Sequence, residues 1–267
     1  MRLAVPVLCA SGLAVLGCMA DVEESEPPIP AGEIEQAWLF DPDFEVDFED
    51  CREVANVGLL PTANARPLVP DQFTLVGEND ELTPFVVRTV HCDSVSVDGK
   101  FPTPGNVVQI GLLILAPEGD GDINNYTLYY DTSNLRLALR LALAGVNANW
   151  VPTLHESLDE EADGSGDYKF KVPPPFKPRL TFAGPVGAPV GGPIPFVANW
   201  WKYSFGDTVK MNSTFPELFI ADNDLVLKVP PGSPLAKLIG ATEVSDWPVL
   251  KLFDTFPSAH MVVTRDD

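Results

Sequence analysis

Along most of the chain, apolar and polar residues alternate in short runs. These are Phe73–Val76, Phe85–His91, Val107–Leu115, Tyr126–Tyr130, Tyr168–Val172, Leu180–Phe182, Val197–Tyr203, Thr208–Thr214, Leu218–Ile220, Asp224–Val229 and His260–Thr264. A period of two, rich in β-branched and aromatic residues, predicts strands. One stretch breaks the rule. From about 134 to 144 the spacing becomes helical, with Leu135, Leu139 and Leu143 on one stripe, Asp131 or Ser133 as the expected N-cap and Gly145 as the stop. A shorter helix is predicted over Ser233–Ile239, with Pro234 in its first turn. About ten strands around one significant helix make the fold mainly β, a large antiparallel barrel or a sandwich.

Composition narrows the picture. The chain has 267 residues, 45% of them hydrophobic, which is enough for a sizeable core. Its formal charge is −21. So acidic a surface excludes a broad nucleic-acid interface, which needs clustered Lys and Arg. Residues 19 to 50 hold twelve acidic side chains and no basic one. Their Glu- and Pro-rich first part reads as an extended tether. The second part, with Trp38, Leu39, Phe40, Phe44, Val46 and Phe48, either docks on the body or recruits a partner.

The N-terminus is an address. Leu3 to Gly17 carry no charge and are too few to cross a bilayer as a helix. They end in Val15-Leu16-Gly17-Cys18, which resembles the lipobox of bacterial lipoproteins. The resemblance implies cleavage before Cys18, a diacylglyceryl group on its sulfur, and a protein held on a cell-envelope membrane after export. Met19 is not the usual inner-membrane retention residue, which favours the outer membrane. The expected organisation is a signal peptide over 1–17, a tether and docking segment over 18–50, and a single barrel domain over 51–267. With Cys9 removed and Cys18 acylated, two cysteines remain. In an oxidising compartment Cys51 and Cys92 are expected to form a disulfide, the alternative being two buried thiols.

The order of features resembles the acetoacetate decarboxylase-like superfamily. The stretches that carry it are Arg52-Glu53, the Ala65-Arg66-Pro67-Leu68-Val69-Pro70 segment, the strand Phe85–His91, Tyr129-Tyr130-Asp131 leading into the helix with Arg140, the Pro231–Ala236 turn, and Ser258-Ala259-His260. It covers Cys51 to Thr264 and implies a barrel with a central pocket. In that family a lysine just after the helix forms a Schiff base with a β-keto acid. Here the segment reads Gly145-Val146-Asn147-Ala148-Asn149-Trp150, and no lysine lies between Lys100 and Lys169. Asn147 aligns with the nucleophile, and an amide cannot form an imine, so the resemblance implies that the family's central step is missing. A pocket glutamate aligns with Val86, and a second acidic group with Thr103 or Pro104. The resemblance therefore implies a binding pocket in which Arg52 holds a carboxylate or carbonyl, Asn147 offers a hydrogen bond and Val86 lines the wall. For Arg52 the alternative is a structural ion pair with a nearby acid. Two other readings stay open: a keto-acid lyase with a displaced lysine, and a partner-recruiting envelope protein, with oligomers possible in either case.

Other motifs add little. No nucleophile elbow, zinc-protease helix or phosphate loop is present, so neither a cofactor nor a metal is expected. Asp120–Asn124 imitates the start of a calcium loop but lacks the glycine at its sixth position, which makes it a surface hairpin turn. The acidic run Glu156–Asp167 reads as a solvated loop. In Trp200-Trp201, adjacent residues face opposite sides of a strand, so one of them faces inward.

Overall fold

The computed structural model describes residues 41–266. The signal peptide, Cys18 and the tether up to residue 40 lie outside them. Strands β1 (Phe44–Pro61), β2 (Leu82–Val97), β3 (Lys100–Leu113), β4 (Ile123–Thr132), β9 (Ile194–Ser204), β10 (Asp207–Ala221) and β13 (Leu250–Asp266) close into a barrel, in the order β3-β2-β1-β13-β10-β9-β4 and back to β3. Most pairs are antiparallel, but β4 and β9 run parallel, as do β4 and the short β5 (Ala148–Trp150). A second sheet of β6 (His155–Glu160), β7 (Gly166–Val172), β8 (Leu180–Val186), β11 (Val226–Lys228) and β12 (Glu243–Val244) packs on the outside.

The hairpin turns are local chemistry. Asp98-Gly99 and Phe205-Gly206 are two-residue connections with both φ angles positive. That is the conformation whose twist matches the flanking strands. The strand at 73–76 does not form; Leu75 makes a single bridge to Ile114. The two strands expected at 208–214 and 218–220 are one strand, β10, whose register shifts between Phe215 and Leu218, around Pro216. A proline cannot donate to the ladder, and a bulge accommodates it. The body also begins earlier than Cys51, because β1 starts at Phe44 and pairs on both sides from Val46 onward.

Two apolar cores follow from the two faces of the barrel wall. Outside, Val54, Val87, Ile110, Leu112, Tyr126 and Trp201 pack against Tyr168, Phe170 and Phe182 of the second sheet. Inside, Phe44, Val46, Val86, Val90, Trp200, Phe215, Met261 and Val263 form a separate cluster. Helices α1 (Thr62–Ala65) and α3 (Pro234–Ile239) are short. The long helix α2 (Leu135–Ala144) contributes Leu137, Leu141 and Ala144 to the inner cluster. Its cap is Asn134, whose Oδ1 accepts from the Leu137 N–H at 3.0 Å, and not Asp131 or Ser133. Gly145 ends it in the left-handed conformation, at φ 103°. Cys51 and Cys92 face each other across β1 and β2 and form a disulfide.

Candidate functional site

The barrel wall is built from strands that alternate inward and outward, so a charge placed within an apolar strand must find a partner inside. Three such charges meet. Arg88 of β2 donates through Nε and Nη2 to both carboxylate oxygens of Glu53 on β1, at 2.7 and 2.6 Å. Both side chains are about nine-tenths buried. Arg88 Nη1 also reaches Gln109 Oε1 at 3.4 Å, and Gln109 Nε2 reaches Thr127 Oγ1 at 3.4 Å. Burial works against the Arg88 charge, but Glu53 outweighs it, and the guanidinium pKa is raised. Asp254 of β13 is the direct cross-strand partner of Glu53. Burial first, and the Glu53 charge second, push its pKa well up, against the pull of Arg88.

These groups line a small cavity of about 40 Å³. Apolar walls come from Val57, Val86, Ile123, Phe196, Phe215 and Leu218, and a polar remainder from Asn125 and Trp200. Three of the lining residues carry a buried polar atom with no hydrogen-bond partner among the described residues: Asp254 Oδ1, Asn125 Oδ1 and Trp200 Nε1. Buried polar atoms are almost always satisfied, and each one left bare costs about 1–3 kcal/mol. Asn125 and Trp200 are register partners across β4 and β9. A larger groove, about 700 Å³, runs along residues 185–187, 222–224 and 247–252, but it is open. Its buried Asn223 is already bonded to Asn56, at 2.8 and 2.7 Å. The interior cavity is therefore the better candidate.

The residues expected at the site divide. Val86 lines the cavity. Arg52 does not. It points outward and makes a bidentate ion pair with Glu156 of β6, at 2.7 Å on each oxygen. That pair raises its pKa. The acidic run thus begins as a strand, and its Glu156 side chain is 1% exposed, not solvated. Asn147 is exposed and absent from the cavity wall, as are Thr103 and Pro104. Glu53, Arg88, Asp254 and Asn125 were not singled out from sequence. Their only signal is a polar or charged residue inside an apolar strand pattern, as in Val86-Val87-Arg88-Thr89-Val90. The alternation at Trp200-Trp201 was a usable signal: Trp200 faces the cavity, and Trp201 packs outside with its Nε1 donating to Asn124 Oδ1 at 3.0 Å.

No protein-family model and no curated protein matches the sequence. Solved structures do. The enduracididine biosynthesis enzyme MppR, complexed with the condensation product of pyruvate and imidazole 4-carboxaldehyde, matches with a TM-score of 0.53 at 16% identity, over 94% of this chain and 97% of that one. An acetoacetate decarboxylase-like enzyme from Sphingomonas wittichii matches at 0.55 and 12%, over 86% and 95%. The acetoacetate decarboxylase of Legionella pneumophila matches at 0.51 and 8%, over 82% and 87%. At such identities the likeness is one of architecture, and the chain has the acetoacetate decarboxylase-like fold.

Proposed function

We propose that the protein is an exported, lipid-anchored binding protein whose barrel takes a small carboxylate or carbonyl compound without Schiff-base chemistry. The observation that carries this reading is the small cavity in the barrel, largely apolar and lined by the buried Glu53–Arg88 pair and by Asp254. Among the described lining residues none is a lysine, and the segment 145–150 after α2 holds none either. With no amine at hand, an imine has no place to form. The MppR structure holds a product of two carbonyl compounds, which supports a carbonyl-type ligand in this fold. The Cys51–Cys92 disulfide supports an oxidising compartment, in line with the lipobox-like end at Cys18.

Borohydride reduction in the presence of a panel of small keto acids, read by intact mass, tests the chemistry. No adduct is expected under conditions that label an imine-forming enzyme. A reduced adduct on one lysine would establish a Schiff base and remove this reading. Fractionation of cells expressing Cys18→Ala tests the anchor. The variant leaves the membrane fraction if Cys18 carries the lipid, and stays if it does not.

A further inference from the structure

A different groove lies outside the barrel, between two tied turns. In the loop from β7 to β8 the Phe176 N–H donates to the Pro173 carbonyl, and in the loop before α3 the Ser233 N–H donates to the Pro230 carbonyl, each at 3.2 Å. Between these turns and Tyr129 of β4 is a space of about 470 Å³. Six prolines, Tyr129, Phe176 and Leu235 make its surface largely apolar. The charged residues of the lining are Lys177 and Arg179, and no acid is among them. Both are exposed, and neither has an ion pair among the described residues. In a chain with 38 acidic and 17 basic residues, two unpaired cations on an apolar groove call for an occupant that is both anionic and apolar.

The chain itself carries such a segment. Asp21, Glu23, Glu24 and Glu26 are followed directly by Pro27-Pro28-Ile29-Pro30. Proline-rich runs lose little entropy on binding, and aromatic-lined grooves are surfaces that take them. Reach allows it. The described chain starts at Asp41, whose carbonyl accepts from Arg140 of α2 at 2.7 Å. Arg140 is eleven residues beyond Tyr129, a path along β4 and α2 of about 30 Å. Pro28 is thirteen residues before Asp41, and thirteen extended residues span up to about 43–47 Å.

We propose that residues 23–30 of this same chain dock in the groove, with Pro27 to Pro30 against Tyr129 and Phe176, and with Glu23, Glu24 and Glu26 paired to Lys177 and Arg179. The contact is a latch on the stalk. On the reading that Cys18 carries the lipid, the chain from Cys18 to Asp41 reaches up to about 80 Å when free. With Glu23 docked, the remaining reach from Cys18 is about 17 Å. Docking holds the barrel near the bilayer, and salt, which screens exposed charges, releases it.

The test is zero-length carbodiimide cross-linking of the purified full chain, followed by peptide mapping. The reagent joins a carboxylate to a lysine amine already in contact. Asp224 and Lys251, 2.8 Å apart, are the internal control for a folded body. Links from Glu23, Glu24 or Glu26 to Lys177 are expected within one chain. Ile29→Asp, a change outside the barrel, is expected to lower their yield about threefold or more with the control link unchanged. Links spread evenly over Lys169, Lys171 and Lys237, or no link while the control forms, would overturn the proposal. Links found between ¹⁴N- and ¹⁵N-labelled copies and not within one would overturn it too, and make the occupant a second molecule. An unchanged yield in Ile29→Asp would reduce the contact to diffuse charge attraction and remove the groove as its seat. The cross-link needs no lipid, so its failure leaves the anchor reading untouched, and retention of Cys18→Ala in the membrane fraction leaves the docking untouched.

Discussion

Asp131 lies in β4 with no solvent exposure. One oxygen accepts from Asn149 Nδ2 at 2.7 Å, and the other has no partner among the described residues. Burial raises its pKa to about 6, the Asn149 bond pulling the other way. The folded state therefore binds more protons than the unfolded chain between the ordinary value of 3.8 and about 6. Stability falls as pH rises through that window and levels off above it. The full effect is up to about 3 kcal/mol, at 1.36 kcal/mol per pKa unit. Asp131→Asn has no charge to bury, so its stability advantage over wild type should be largest at pH 7 and shrink towards pH 4. Urea midpoints of both proteins across that range check this. A difference that does not change with pH would dismiss Asp131 as the titrating group.

Among the elements, α2 shows how a helical period can leave the buried face undecided. Leu135, Leu139 and Leu143 are 44%, 48% and 47% exposed, while Leu137 and Leu141 are fully buried. The helix repeats leucine on two stripes, and only docking decides which one is covered. Arg140 helps to decide it. Its guanidinium donates to the carbonyls of Asp41 and Asp43, at 2.7 and 3.0 Å, and lies over the Phe44 ring. That turns the 137/141 stripe into the barrel. Leu141→Ala should cost about 2–5 kcal/mol, and Leu139→Ala less than about 0.5 kcal/mol. Equal losses in chemical denaturation would contradict this orientation. In β1 the decisive residue is Asp50, with φ 49°. Before it the even-numbered Phe44, Val46 and Phe48 belong to the inner cluster; after it the odd-numbered Cys51, Glu53, Ala55 and Val57 face inward. The phase reverses, and with it the pair Arg52-Glu53: the arginine leaves the barrel and the glutamate enters it. The Cys51–Cys92 bridge closes a loop with a sequence separation of 41 residues just beyond this point. Replacing both cysteines by alanine should lower stability by about 4 kcal/mol in the chain-entropy account, as read from the guanidinium midpoint. No change on double replacement would make the bridge dispensable.

Across the molecule, the barrel and the outer sheet are joined by the apolar layer between them and by a few polar ties. Arg52 with Glu156 is one tie, and Tyr168 Oη with Thr89 Oγ1, at 2.9 Å, is another. Arg52→Ala leaves the Glu156 carboxylate, 1% exposed, without its guanidinium. It should destabilise by about 1–3 kcal/mol without altering ligand affinity in the cavity. Loss of binding with unchanged stability would restore Arg52 to a ligand role. The sequence by itself determined the strand-rich class and the long helix to within a residue or two, because local periodicity and turn and cap residues lie along one dimension. The decarboxylase-like architecture came from a resemblance in the order of features, and the expected Cys51–Cys92 pairing from assigning the other two of four cysteines to the N-terminal leader. The identity of the cavity wall was decided only by the tertiary structure. Glu53, Arg88, Asp254, Asn125 and Trp200 come from five strands, and which face each presents depends on the reversal at Asp50, the shift in β4 beside Ile110 and Gly111, and closure of β3 onto β4. A side-chain period of two means that one residue of phase moves every group to the opposite face, and nothing short of the closed barrel sets that phase.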